Sequence, residues 1–210
     1  MITYWEKYNH KLTGPLLQHL HIVGITLLFS ILLATLLTLL FLQHKSAAHT
    51  LIHLLGAVYS IPSLALFAIL IPIMGIGERT AIVVLVLYNQ FLLMRNFFAG
   101  FDGVNPAVVE AATGMGMKRF QVLVRIQLPL AFPAILAGIR LALISTVGIA
   151  TIAATINAGG LGTILLDGLR TLNYVKIWWG VLLSAGLAIV ANLILTAVQR
   201  VVEKKFYLNN

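Results

Sequence analysis

The side chains able to do covalent chemistry are few and scattered. No cysteine occurs in the 210 residues, which removes thiolate nucleophiles, disulfides and cysteine-ligated metals. The histidines, His10, His19, His21, His44, His49 and His53, lack the HExxH spacing that holds zinc. They fall on both sides of one apolar run, so they read as residues of the membrane interface rather than a metal site. Gly114-Met115-Gly116-Met117-Lys118 is the nearest string to a phosphate loop, and it has neither the spacing nor the hydroxyl residue of GxxxxGK[ST]. Gly159-Gly160-Leu161-Gly162 reads as a tight turn. Tyrosine and tryptophan rings can cage a quaternary ammonium group by cation–π attraction, but they do not cluster in the sequence. No nucleophile, base or metal set converges, so no catalytic residue is assigned, no metal site is expected, and the chain is expected to bind no cofactor of its own.

The elements that must position the remaining polar groups are membrane helices. Apolar residues make up 60% of the chain and charged residues 10%, against about 25% charged in soluble domains. The net charge of +8, placed beside apolar segments, suits an anionic membrane face better than nucleic acid. Ile22 to Gln43 is uncharged and, as a helix, about 33 Å long, enough for a hydrocarbon core of about 30 Å. It is too long for a signal-peptide core and has no cleavage site behind it. A second crossing is expected from Leu54 to Gly77, kinked at Pro62 and Pro72, and a third from Thr80 to about Phe98. A fourth falls within Pro133 to Asn157 and a fifth within Ile177 to Val198, opened by the interfacial pair Trp178 and Trp179.

Basic residues orient these five crossings. Lys45, Arg95, Lys118, Arg119, Arg125, Arg200, Lys204 and Lys205 lie on one side, and Lys7, Lys11, Arg79, Arg170 and Lys176 on the other. The richer side is expected in the cytoplasm, which puts the N-terminus outside and the C-terminus inside. The expected organisation is an external segment 1–19, one membrane domain 20–200 with a cytoplasmic loop at about 99–130, and a cytoplasmic tail 201–210. Arg140, inside an apolar segment, is expected to snorkel to the cytoplasmic side. A unit of five helices has little room to enclose a polar pathway, which suggests pairing with another such unit.

The loop carries the strongest pattern. Asn105-Pro106 is a helix start, with an Asn to accept a free backbone N–H and a Pro where none is needed. Val108, Val109, Ala112 and Met115 form an apolar strip, and Glu110 is a helix-capping or partner-facing acid near the positive end of the helix dipole. Gly114 and Gly116 end or bend that helix before Phe120, Leu123 and Val124 resume an apolar face beside Lys118, Arg119 and Arg125. By pattern alone this is either an interfacial amphipathic loop or a knob on which another protein docks.

Glu110-Ala111-Ala112, three residues, Gly116, nine residues, then Ile126-Gln127-Leu128-Pro129 resembles the EAA loop of ABC importer permeases. Ile61-Pro62-Ser63-Leu64-Ala65, Leu92-Leu93-Met94-Arg95-Asn96, Glu110 to Met117 and Asn157 to Gly162 resemble those that import glycine betaine, carnitine, choline and related osmoprotectants. The likeness covers roughly residues 50 to 200 and implies an all-α polytopic fold of the type I importer kind. It implies that Glu110, Ala111, Ala112, Gly114, Met115 and Gly116 form a coupling helix seated on a cytoplasmic ABC ATPase dimer, which would hold the ATP and magnesium. A second permease subunit, identical or related, and an external substrate-binding protein are the other implied partners. Gly159 to Gly162 with Asp167, Arg170, Asn173 and Lys176 could help receive that binding protein.

Polar residues within the crossings have two readings. Ser60, Ser63, Asn89, Gln90, Thr151 and Thr155 line a translocation pathway, or they hydrogen-bond a neighbouring turn or helix; the same holds for Ser145, Thr146 and Asn157. A permease for another small polar solute such as an amino acid is the alternative function. An ion-coupled secondary transporter would need intramembrane acids, which these crossings lack.

Overall fold

A computed structural model describes the backbone of residues 2–207 and the side chains of residues 12–201. The side chains of Lys7, His10, Lys11, Lys204 and Lys205, used above in the charge and histidine patterns, lie outside the described residues. The described backbone is helical: α1 Ile2–Phe41, α2 Lys45–Tyr59, α3 Ser63–Met74, α4 Glu78–Asp102, α5 Pro106–Gly114, α6 Arg119–Val122, α7 Leu128–Ile152, α8 Gly162–Arg170 and α9 Tyr174–Tyr207.

α4 is the central helix, with α1, α2, α3 and α7 packed around it. The sequence permits close approach there. Thr26, Ser30, Ala34 and Thr38 recur every four residues on α1 and are all buried, so one stripe of small side chains faces the bundle. On the other flank, a Cβ on Gly100 would lie 2.9 Å from the Ala131 carbonyl oxygen, and one on Gly138 would lie 2.7 Å from the Asn96 Cβ. α9 is the peripheral helix, and its most apolar stretch has no buried residue.

Among the described residues four helices are long and apolar enough to cross a membrane, Leu12–Phe41, Glu78–Asp102, Arg119–Ile156 and Tyr174–Val201. The expected second crossing differs. α2 and α3 meet at 94°, so the chain turns a corner at Ser60–Pro62 where a kinked single helix was expected, and the pair makes a fifth span only if taken together. Pro62 is the physical reason, since it has no N–H and excludes the helical region for Ile61. The Tyr88 hydroxyl holds the corner by donating to the Ile61 carbonyl at 2.5 Å.

Two boundaries also move. α1 is already helical at Ile2, and Leu12 and Leu16 pack with Leu161 and Ile164, so residues 12–19 belong to the bundle. The helical rod that holds the fourth candidate span begins at Arg119, ahead of Pro133. A wide π-helical turn, Leu123–Gln127, joins α6 to α7, with the Leu128 N–H reaching the Leu123 carbonyl just before Pro129, which has none to donate.

Candidate functional site

α5 projects from the end of the bundle where α4 stops. The Asn105 side chain accepts the Ala107 N–H at 3.0 Å and Pro106 opens the helix, as the sequence pattern requires. Glu110 stands on the outer face, in no ion pair among the described residues, and borders a cleft of about 420 Å³ whose other walls include Lys45, Asp102 and Gln127. Ala112 alone of the six expected coupling residues is buried, at 2% exposure. Glu110, Ala111, Gly114, Met115 and Gly116 are open, Met115 at 76%.

The helix closes on a left-handed glycine. Gly116 has φ +84°, its N–H donates to the Thr113 carbonyl at 2.9 Å, and the Met117 N–H donates to the Ala112 carbonyl at 3.2 Å. The Lys118 N–H then donates to Gln121 Oε1 at 2.8 Å and α6 begins. The result is a helix-turn-helix knob carrying exposed Val108, Met115 and Phe120. An ion pair between Lys45 and Asp102 at 2.5 Å ties its root to the start of α2.

The six expected pathway residues do not gather. Asn89 and Gln90, 1% and 2% exposed, are enclosed between helices. Asn89 Nδ2 donates to Ser30 Oγ at 3.2 Å and to Thr146 Oγ1 at 2.8 Å, and Gln90 Nε2 donates to the Ser30 and Val86 carbonyls. They join α1, α4 and α7. Ser60 and Thr155 are exposed and Ser63 and Thr151 half-buried; the hydroxyls of Ser60, Thr151 and Thr155 donate to the Gly56, Val147 and Ile152 carbonyls of their own chain segments. The corner and the end of α7 are nevertheless neighbours, since Tyr59, Ile61 and Ile156 pack into one cluster with Phe67 and Tyr88.

At the opposite end of the bundle, Asn157, Gly159 and Gly160 all have positive φ, so the glycine run is the tight turn expected. His19 is the exception to the interfacial reading of the histidines. It is fully buried, and its Nδ1 accepts the Leu161 N–H at 3.3 Å while Gln18 Oε1 accepts the Gly160 N–H at 3.1 Å. An amphipathic pattern cannot show this, because the partners are 142 residues apart. Beyond the turn, Lys176 Nζ meets Asp167 Oδ2 at 2.6 Å and Arg170 is exposed. Arg140, at the middle of α7, is half-buried and donates to Thr196 Oγ1 of α9 at 3.5 Å.

Residues 27–207 match the family described as "Binding-protein-dependent transport system inner membrane component". The chain belongs to this family. The permease is 33% identical over 205 residues, 98% of its length and 94% of the relative's, to the glycine betaine/carnitine/choline transport system permease protein OpuCB of Bacillus subtilis. It is 35% identical to the choline transport system permease protein OpuBB of the same organism, covering 87% of the chain and 84% of the relative. With the osmoprotectant import permease protein OsmW of Salmonella typhimurium it shares 34% identity over 90% of both chains. Among solved structures, an inward-facing form of the MetNI methionine ABC transporter superposes with TM-score 0.82 at 21% identity, over 91% of this chain and 95% of that one. An amino acid ABC transporter crystallised with histidines gives TM-score 0.74 at 17% identity, over 95% of both chains.

The permease is therefore an all-helical, multi-pass ABC importer subunit, homologous to osmoprotectant permeases and folded as the methionine and amino acid transporter permeases are. Its resemblance to EAA-loop permeases rests on Glu110, Ala111, Ala112 and Gly116 of the α5–α6 knob and on Ile126 to Pro129 where the π-helical turn runs into α7. Sequence reasoning passed over two features of the permease. The Gln18–His19 clamp has no local signal, and the π-helical turn is hinted at only by Pro129.

Proposed function

We propose that this permease forms the membrane pathway of an importer for glycine betaine, carnitine, choline or a related osmoprotectant. ATP and magnesium are held by a separate cytoplasmic ATPase dimer, a second permease subunit completes the pathway, and an external binding protein delivers the solute. In this reading the knob side is cytoplasmic, and Glu110, Ala111, Met115 and Gly116 meet the ATPase while buried Ala112 holds α5 to the bundle. The observation that carries the reading is the open outer face of α5 around left-handed Gly116. The names of the relatives support the solute class. Ser60 and Ser63 at the corner and Thr151 and Thr155 at the end of α7 are the proposed pathway edge; Asn89 and Gln90 act from behind it, holding α4 in place.

The test is transport into vesicles carrying the permease with its partner subunits and ATP on the knob side, comparing betaine, choline and carnitine with an amino acid. Uptake of an osmoprotectant that stops without nucleotide is expected. Uptake of the amino acid alone would move the permease to the alternative solute class, and uptake driven equally by an ion gradient would end the ATPase reading. Gly116→Val is expected to insert in the membrane normally and to lower transport and transport-linked ATPase activity about tenfold or more, because a β-branched residue at φ +84° costs of order 1–3 kcal/mol and reshapes the knob. Normal uptake by that variant would remove the docking role.

A further inference from the structure

The geometry points to a binding site for one anionic phospholipid, its acyl chain lodged at the base of the knob. Between α1, the end of α4 and the α6–α7 rod lies a cavity of about 270 Å³, walled by Thr38, Phe97, Phe101, Leu123, Val124 and Phe132 among others, with no charged residue in its lining. It runs along α1 from Ile31 to Leu39, about 12 Å, close to the half-thickness of a hydrocarbon core.

Three observations select a lipid as the occupant. The mouth is formed by exposed Thr35 and Leu39, continuous with the apolar outer face of α1 at Leu28, Leu32 and Leu36, so an acyl chain can enter sideways from the bilayer. At the knob-side rim, Phe120 and Val124 line the cavity, and the next residues along the chain are exposed Arg119 and Arg125, which form no ion pair among the described residues. Cations at that level attract an anionic headgroup by about fivefold each. Within the wall, Thr38 is 1% exposed and its hydroxyl has no hydrogen-bond partner, which leaves a buried donor for an ester oxygen at the top of an acyl chain. The π-helical turn contributes Leu123 and Val124 to this wall. A lipid seated there touches both the bundle and the root of the coupling knob.

The experiment uses the full chain in nanodiscs of one part phosphatidylglycerol to three parts phosphatidylcholine, released into native mass spectrometry. One phosphatidylglycerol is expected to stay bound, enriched at least tenfold over phosphatidylcholine. Arg119→Gln with Arg125→Gln, both at the surface, should bring that enrichment down to about parity, since each cation lost removes about a fivefold preference for the anionic headgroup. Thr35→Trp, which fills the mouth without entering the core, should abolish retention of either lipid, whereas Leu193→Trp on the exposed face of α9 should change nothing. Equal retention of the two lipids by the wild type, or unchanged enrichment in the rim and mouth variants, overturns the proposal. So does a photo-crosslinking residue at Phe132 that joins two copies of the chain and not lipid.

Discussion

At Gly162 an added Cβ would overlap the Thr151 carbonyl oxygen and stand 2.7 Å from the Ala154 Cβ, so the turn after α7 closes with no room for a methyl group. Gly160 is held twice over, by φ +76° and by the His19 ring, whose Nδ1 would lie 2.8 Å from a Cβ. Gly162→Ala is therefore expected to destabilise the detergent-solubilised permease by about 1–3 kcal/mol, read as a lower unfolding temperature. Gly186→Ala, on α9 with nothing within 4 Å, should match or slightly exceed the wild type. Equal melting of the two variants would show that the turn is looser than its contacts imply. The glycines themselves announce a turn in the sequence. Which atoms demand each glycine does not show there, because Gln18, His19 and Thr151 reach the turn only through the packing of α1 and α7.

Among the helices, α5 is the one whose boundaries local chemistry sets almost alone. Asn105 caps it, Pro106 starts it and Gly116 ends it, and each residue does so through its own backbone or side chain. Asn105→Ala removes the acceptor for the Ala107 N–H at a cost of about 1 kcal/mol. The expected result is roughly fivefold faster amide exchange at Ala107 to Val109, with exchange in α4 unchanged. Unaltered exchange in α5 would mean that packing, not the cap, holds it. The corner between α2 and α3 is the opposite case. Pro62 marks it, but the 94° angle and the Tyr88 hydrogen bond to Ile61 from another helix show only in the packed bundle.

For the whole molecule, most charged side chains among the described residues lie toward the two ends of the bundle, with Arg140 at the middle of α7 the exception. Lys45 pairs with Asp102 at the knob end, and His21 accompanies Glu78 at 3.0 Å at the other. The absence of cysteine allows a direct reading of orientation. Met115→Cys and Leu172→Cys each place one thiol at an exposed site, at opposite ends. A membrane-impermeant maleimide is expected to label position 172 in intact cells and position 115 only in inverted vesicles. The reverse pattern would turn the permease over and separate the knob from any cytoplasmic ATPase.

Composition and spacing determined that this chain is a bundle of membrane helices, where its uncharged runs lie, and that a capped, glycine-ended helix projects between two of them. Those properties follow from burial preference and from backbone freedom at single residues, which a sequence states directly. Only the tertiary structure decided that Asn89 and Gln90 are enclosed between α1, α4 and α7, that His19 clasps Leu161, and that the segment expected as the second crossing is a right-angled pair of helices. Each of those depends on which faces of distant helices come together. Serine, threonine, asparagine and histidine look alike in a sequence whether they face a neighbouring helix or a pathway, because either can satisfy their polarity.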